Sequence, residues 1–188
     1  MPDKKMVVNV DTRLNLYKYF GINGVGAEIG VCRGANSACL LLATRPNKMY
    51  LVDVWERDVL TEIHHSRDLH YNDWENDVRI LFSNEIENRS VEICRMTGIN
   101  FLKNLPDRTL DWVYLDSDHS YENLSQELDL AISKVRVGGI IAGHDFMVHQ
   151  GAWGSGVIRA IIDEIQKGRI QMKYITDEQF PSYVCYVT

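Results

Sequence analysis

Hydrophobic positions along this chain follow two rhythms: brief continuous apolar runs of strand length, and longer stretches in which apolar residues recur every three or four positions. Residues 10–20 are of the second kind, with Leu14, Leu16, Tyr17 and Phe20 at roughly helical spacing and Asp11 or Thr12 as the cap. A leading helix is therefore expected within residues 1–24, closed by Gly21 and Gly24. Residues 25–29 then read as a strand running into a glycine-bearing turn, 36–44 as a helix, and 49–52 as a second strand ending in Asp53. Over 55–74 the composition shifts to charges, aromatics and histidines, which reads as an excursion outside the core and, over 55–75, either as a substrate lid or as a charged surface helix. Helical spacing returns over 77–88, followed by a strand at 91–94, a short helix at 100–105 and a strand at 112–115 that stops at Asp116. Leu124, Leu128, Ile132 and Val135 recur at the period of an amphipathic helix over 121–135. Gly138 and Gly139 turn the chain into a strand at 140–142, and a helix at 157–165 and two strands at 171–176 and 183–187 complete it.

Strands alternating with helices over the whole length predict an α/β fold, a Rossmann-like, doubly wound, mostly parallel sheet of seven strands. Only residues 177–182 separate the last two strands, so these are expected to pair antiparallel at one edge, with six strands in one sense and one reversed. At 188 residues, without repeats or a linker, the chain reads as one domain over 1–188. Apolar residues at 45% and charged residues at 24% exclude a disordered or fibrous class. A formal charge of -6 with scattered basic residues argues against a nucleic-acid partner. No run approaches the ~20 apolar residues of a membrane span, and the opening residues lack a signal-peptide core. The expectation is a soluble, cytoplasmic protein acting on a small molecule, with a homo-oligomer as one way of completing a small open-sided site. Cys32, Cys39, Cys94 and Cys185 show no CxxC spacing and read as reduced thiols.

Ligands of open α/β sheets bind beyond the carboxyl ends of the strands, so the turn carrying Gly30 and Gly34 is a ligand loop by position. Arg33 stands where a dinucleotide fingerprint needs small residues and free helix amides, which disfavours a diphosphate. S-adenosylmethionine instead presents an ammonium, a sulfonium and a ribose diol, and strand-end acids suit these. Glu28 can lie beneath the ammonium, Asp53 can accept the ribose hydroxyls, and the Thr97–Gly98 turn can face the adenine. Ser37 either meets the cofactor carboxylate or serves the start of the helix.

Asp116, Asp118 and His119 follow one strand, and His144 and Asp145 follow the next parallel one, so both clusters are expected on one rim. Carboxylate and imidazole ligands can converge there on a divalent cation. Methyl transfer from a sulfonium is an in-line displacement that needs a deprotonated hydroxyl, and His119 is the candidate catalytic base.

The run AEIGVCRGANS, the strand YLVD and the segment LDSDHSYENLSQELDLAISKVRVGGIIAGHDF together resemble the class I methyltransferases. The likeness is specifically to the branch that includes the macrocin-type sugar O-methyltransferases, and it spans residues 26–146. The resemblance implies a seven-stranded sheet with a reversed last strand, S-adenosylmethionine as donor, and often a divalent metal such as Mg or Mn. It also implies metal ligands at Asp116, which is counted with the cofactor residues as well, and at the pair His144 and Asp145, with the base at His119. In macrocin-type members that pair is two acids; His144 in the first place shifts the preference toward manganese, iron or zinc.

The leading expectation is metal-assisted O-methylation of a small hydroxylated, sugar-like acceptor. A methyltransferase without metal, in which His119 acts alone, is a second reading, and a cofactor-binding module without turnover is a third. Catechol-type enzymes need two acids and an asparagine at this rim, which Asp145 followed by Phe146 does not supply. Asp118 reads as a helix-start or surface acid, and His149 as lying beyond reach. His64 and His65 are adjacent rather than four apart and make no zinc motif; with His70 and Tyr71 they belong to the lid. The loop from Gly151 to Gly156 around Trp153 is a second candidate substrate wall.

Overall fold

The computed structural model describes residues 7–56, 71–148 and 154–188. Among these, eight strands form one sheet: β1 (Val8–Val10), β2 (Val25–Ile29), β3 (Lys48–Asp53), β4 (Val91–Arg95), β5 (Leu110–Leu115), β6 (Val135–Gly143), β7 (Ile170–Thr176) and β8 (Tyr183–Val187). Their order is β1-β7-β8-β6-β5-β2-β3-β4. Only β8 is reversed, pairing antiparallel with both β6 and β7. The doubly wound, mostly parallel Rossmann-like fold expected from the alternation is the fold found.

Two details differ from the expectation, and both come from the first residues. The leading segment is no continuous helix, because its start pairs with the sheet: β1 lies parallel to β7, with Val8 opposite Tyr174. What remains is one helical turn, α1 (Arg13–Leu16), running into a 3-10 turn at Tyr17–Tyr19. Thr12 caps α1 by accepting from the Asn15 amide, and Leu16, Tyr17 and Phe20 are buried, so the apolar spacing reflects packing against the sheet. The additional strand covers β7, so the sheet has eight strands instead of seven and the antiparallel β7–β8 pair stands one strand in from the edge.

The sheet separates two cores. On β5, Val113 and Leu115 face one side while Trp112 and Tyr114 face the other, the period-2 alternation of a sheet buried on both faces. On the first side lie α5 (Gly98–Asn104), α6 (Tyr121–Lys134) and α7 (Gly156–Gln166), contributing Phe101, Leu128 and Ile161. On the second lie α1, α2 (Ala35–Thr44), α3 (Tyr71–Leu81) and α4 (Ser83–Glu87), contributing Leu16, Leu40, Val78 and Ile86. The ends of the stretch read as an excursion are not outside the core: Trp55 and Trp74 are both buried in the second core. The remainder of the lid expectation, with His64, His65 and His70, falls outside the described residues, as do His149 and Trp153. Among the described residues, no helix is long and apolar enough to cross a membrane.

Candidate active site

Gly30 ends β2 with a φ of 91°, and a Cβ there would lie 2.0 Å from the carbonyl oxygen of Asp116. Only glycine lets the loop pass so close to the end of β5. The Asp116 amide donates to the Ile29 carbonyl at 2.8 Å, so the glycine loop and the acid that follows β5 share one edge of the sheet. Beyond Gly30, the loop hangs on Asp53 at the end of β3. One carboxylate oxygen accepts from the amides of Val31 at 2.8 Å and Cys32 at 2.9 Å, and the other from the Trp55 amide at 3.0 Å. The Trp55 indole closes the ring by donating to the Cys32 carbonyl at 2.8 Å. Arg33 is held by Asp77 of α3 at 2.7 Å, and Gly34, at a φ of 82°, opens α2.

Beneath α2, Glu28 is fully buried. It accepts from the Asn36 side-chain amide at 2.8 Å and from the Ser37 hydroxyl, while Tyr17 donates to the Asn36 carbonyl oxygen. Burial pushes the Glu28 carboxyl up to about 8, outweighing the opposing pull of its Ser37 and Asn36 hydrogen bonds.

On the neighbouring strands, Leu115 of β5 is in register with Gly143 of β6. The residues just beyond them meet: His119 Nε2 lies 3.4 Å from Asp116 and 3.3 Å from Asp145, and His144 Nδ1 lies 3.4 Å from Asp145 and 3.9 Å from Asp116. Asp145 holds a left-handed φ of 57°, a strained state for a non-glycine residue and one that clusters at functional sites. Burial works to lower the pKa of His119, but its hydrogen bond with Asp116 and the charges of Asp145, Asp116 and Asp118 together raise it above the ordinary value. The acids thus favour a proton on this imidazole. Asp116, His144 and Asp145 each offer one ligand atom, all within 4.8 Å of one another. Two carboxylate oxygens and one imidazole nitrogen at that separation fit a divalent transition-metal ion.

Two residues of this rim were not singled out from the sequence. Glu127 of α6 is buried, with Ser117 Oγ donating to its two carboxylate oxygens at 3.0 and 2.8 Å. Burial pushes it up to about 7 against the pull of Ser117 and Asn123. Its signal was present, since Leu124, Glu127, Leu128 and Ala131 occupy the i, i+3, i+4, i+7 stripe that α6 buries. Phe180, in the β7–β8 loop, stacks on His144 with ring centroids 6.4 Å apart and remains exposed. No period marks a loop aromatic in advance.

The remaining expected positions divide. Thr97 caps α5 by accepting from the Asn100 amide, and Gly98 packs against Ile29 and Glu127. Asp118 accepts from the Ser120 amide at 2.9 Å, the helix-start role read for it.

Compared with protein-family models, the chain matches the one described as a methyltransferase domain over residues 27–146. No curated protein sequence matches it. Among solved structures, an rRNA-methylase-like protein from Clostridium thermocellum aligns with a TM-score of 0.66 at 13% identity, over 94% of this chain and 95% of that one. A methyltransferase-like protein from Streptococcus mutans in complex with SAH aligns at 0.65 and 8% identity, over 95% and 99%. A SAM-dependent methyltransferase from Aquifex aeolicus aligns at 0.61 and 11% identity, over 94% and 88%.

Proposed function

The chain belongs to the methyltransferase-domain family and is an enzyme of methyl transfer; from that premise we propose that it moves the methyl group of S-adenosylmethionine onto a hydroxyl oxygen of a small, sugar-like acceptor. The observation that carries this reading is the shared edge: the glycine loop touches Asp116 through Gly30, and Asp116 is 3.4 Å from His119. A donor lying on the loop would present its sulfonium beside an imidazole and two acids.

In the reaction, the imidazole of His119 takes the hydroxyl proton, the oxygen attacks the methyl carbon in line, and the carbon–sulfur bond breaks to release S-adenosylhomocysteine. Asp116 and Asp145 stabilise the imidazolium that forms, since both lie within 3.4 Å of Nε2. Glu28, Ser37 and Asp53 support the loop beneath the donor. Asp116, His144 and Asp145 would hold a divalent ion, which when bound would lower the pKa of the acceptor hydroxyl. A metal-free version is favoured by one fact, that the same two acids already orient His119. The net charge of -6 supports a small acceptor over a nucleic acid.

Calorimetry with S-adenosylhomocysteine, followed by turnover of the methyl donor against a panel of hydroxylated sugars and phenols, tests the reading. Binding and O-methylated product are expected, with activity lost on chelation and restored by Mn²⁺. Turnover that survives chelation would leave the metal-free version; no binding of either the donor or its product would overturn the function.

A further inference from the structure

We propose that Glu127 is a positioning residue of the methyl-transfer site: from α6 it clamps Ser117, and so fixes the loop carrying Asp116 and His119 against the Thr97–Gly98 turn. The inference rests on the reading above that these two segments flank the reacting groups.

Three segments come together around this carboxyl. Ser117 Oγ bonds both of its oxygens, at 3.0 and 2.8 Å. Ser117 is the residue directly after Asp116 and two before His119, so restraining it restrains both. From the side of the donor turn, Gly98 is pressed so close that a Cβ there would lie 2.4 Å from Glu127 Oε1. From β2, Ile29 closes the same space, 2.5 Å from that Cβ. The carboxyl therefore stands where the end of β2, the start of α5 and the loop after β5 come together.

Glu127 is 2% exposed on a stripe otherwise made of Leu124, Leu128, Ala131 and Ile132. A carboxyl placed on such a stripe gives up hydration, and the cost is recovered only if its bonds hold something in place. What it holds is the loop of the candidate base. The groups that face it are Ser117, Asp118 and His119 from that loop, Asn123 from its own helix, and Tyr183 from β8.

Hydrogen exchange of the full chain, read by mass spectrometry on peptides covering residues 116–120, tests the clamp without requiring an acceptor. Glu127→Ala and Ser117→Ala should each speed exchange in these peptides roughly tenfold, the equivalent of one lost buried hydrogen bond, with peptides of β2 and β5 unchanged. Glu127→Gln, which keeps an acceptor and the same volume, should restore slow exchange. The same two alanine variants should weaken Mn²⁺ binding about tenfold by electron paramagnetic resonance, and the glutamine variant should not. Unchanged loop exchange in both alanine variants overturns the proposal, as does a glutamine variant as fast as alanine. If Glu127→Ala does not fold, Ser117→Ala decides. A wild-type chain that binds no Mn²⁺ removes the metal from the function proposed above, and one that binds no S-adenosylhomocysteine removes the function; the exchange comparison judges Glu127 in either case.

Discussion

Replacing Glu28 by Gln isolates the effect of one buried carboxyl on stability. Its side chain is fully buried beneath α2, and burial raises its pKa from 4.5 to about 8. Between those values the folded chain keeps a proton that the unfolded chain has released. The folded pKa is the higher one, so the stabilisation is complete below about 4.5 and is lost as pH rises toward 8. One pH unit is worth at most about 1.4 kcal/mol, which amounts to a few kcal/mol between pH 5 and 7. Gln has the shape of the protonated acid and can keep the bonds to Asn36 and Ser37, but it cannot ionise. Urea unfolding followed by tryptophan fluorescence at half-unit pH steps, without ligand, should show the two stability curves diverging in favour of Glu28→Gln as pH rises. Parallel curves over pH 5 to 8 would mean that the carboxyl is solvated or already ionised in the folded chain, and the account of its burial would fail.

Asp53→Ala removes the acceptor of three loop amides; calorimetry should show S-adenosylhomocysteine affinity reduced at least about tenfold, and urea unfolding a loss of about 2 kcal/mol. His119→Ala should lower methyl transfer by about a hundredfold or more, leaving the affinity for S-adenosylhomocysteine within about twofold. The ascending limb of the pH–rate profile should lie above the ordinary histidine value of about 6.5, because the neighbouring acids raise the pKa of the base. Asp145→Asn should fold with stability within about 1 kcal/mol of wild type, since asparagine tolerates the left-handed conformation, yet lose Mn²⁺ binding by electron paramagnetic resonance.

Much of this architecture was legible because it is periodic. Residues 121–135 announced α6 by a repeat that burial enforces, and β2, β3 and β5 announced themselves as apolar runs ending in the glycine loop, Asp53 and Asp116. β1 was not legible: at three residues it carries too few positions for a period, and its partner, β7, lies more than 160 residues away in the chain. Trp55 was misread because a tryptophan at the head of a charged segment looks like part of it, whereas its indole is bonded to Cys32 and buried. In the site, the strand-end rule placed Asp116, His119, His144 and Asp145 on one rim, where the structure brings them within hydrogen-bonding or ion-pair range of one another. The inner supports were harder to foresee. Ser37 and Asn36 bond a buried acid, and Glu127 reaches the rim from a helix that looked purely structural.

Three carboxyls show how this fold distinguishes stability from chemistry. Glu164 is buried at the end of α7, and the fold compensates it with cations: Lys167 lies 2.8 Å away, and Arg169 is bonded to it as well. That pairing sits beside the amino end of β7, remote from the carboxyl ends of the strands where the site lies. Glu28 and Glu127 are as deeply buried, but the side chains bonded to them are neutral, Asn36 and Ser37 in one case and Ser117 in the other. They reach the same rim from opposite faces of the sheet, one beneath the glycine loop and the other beneath the loop that follows β5. A buried carboxyl without a counter-ion keeps its proton near neutral pH, and so acts as a rigid hydrogen-bonding group that adds little charge to the site. The negative field at His119 is then left to Asp116 and Asp145, which lie within 3.4 Å of Nε2, with a further contribution from Asp118.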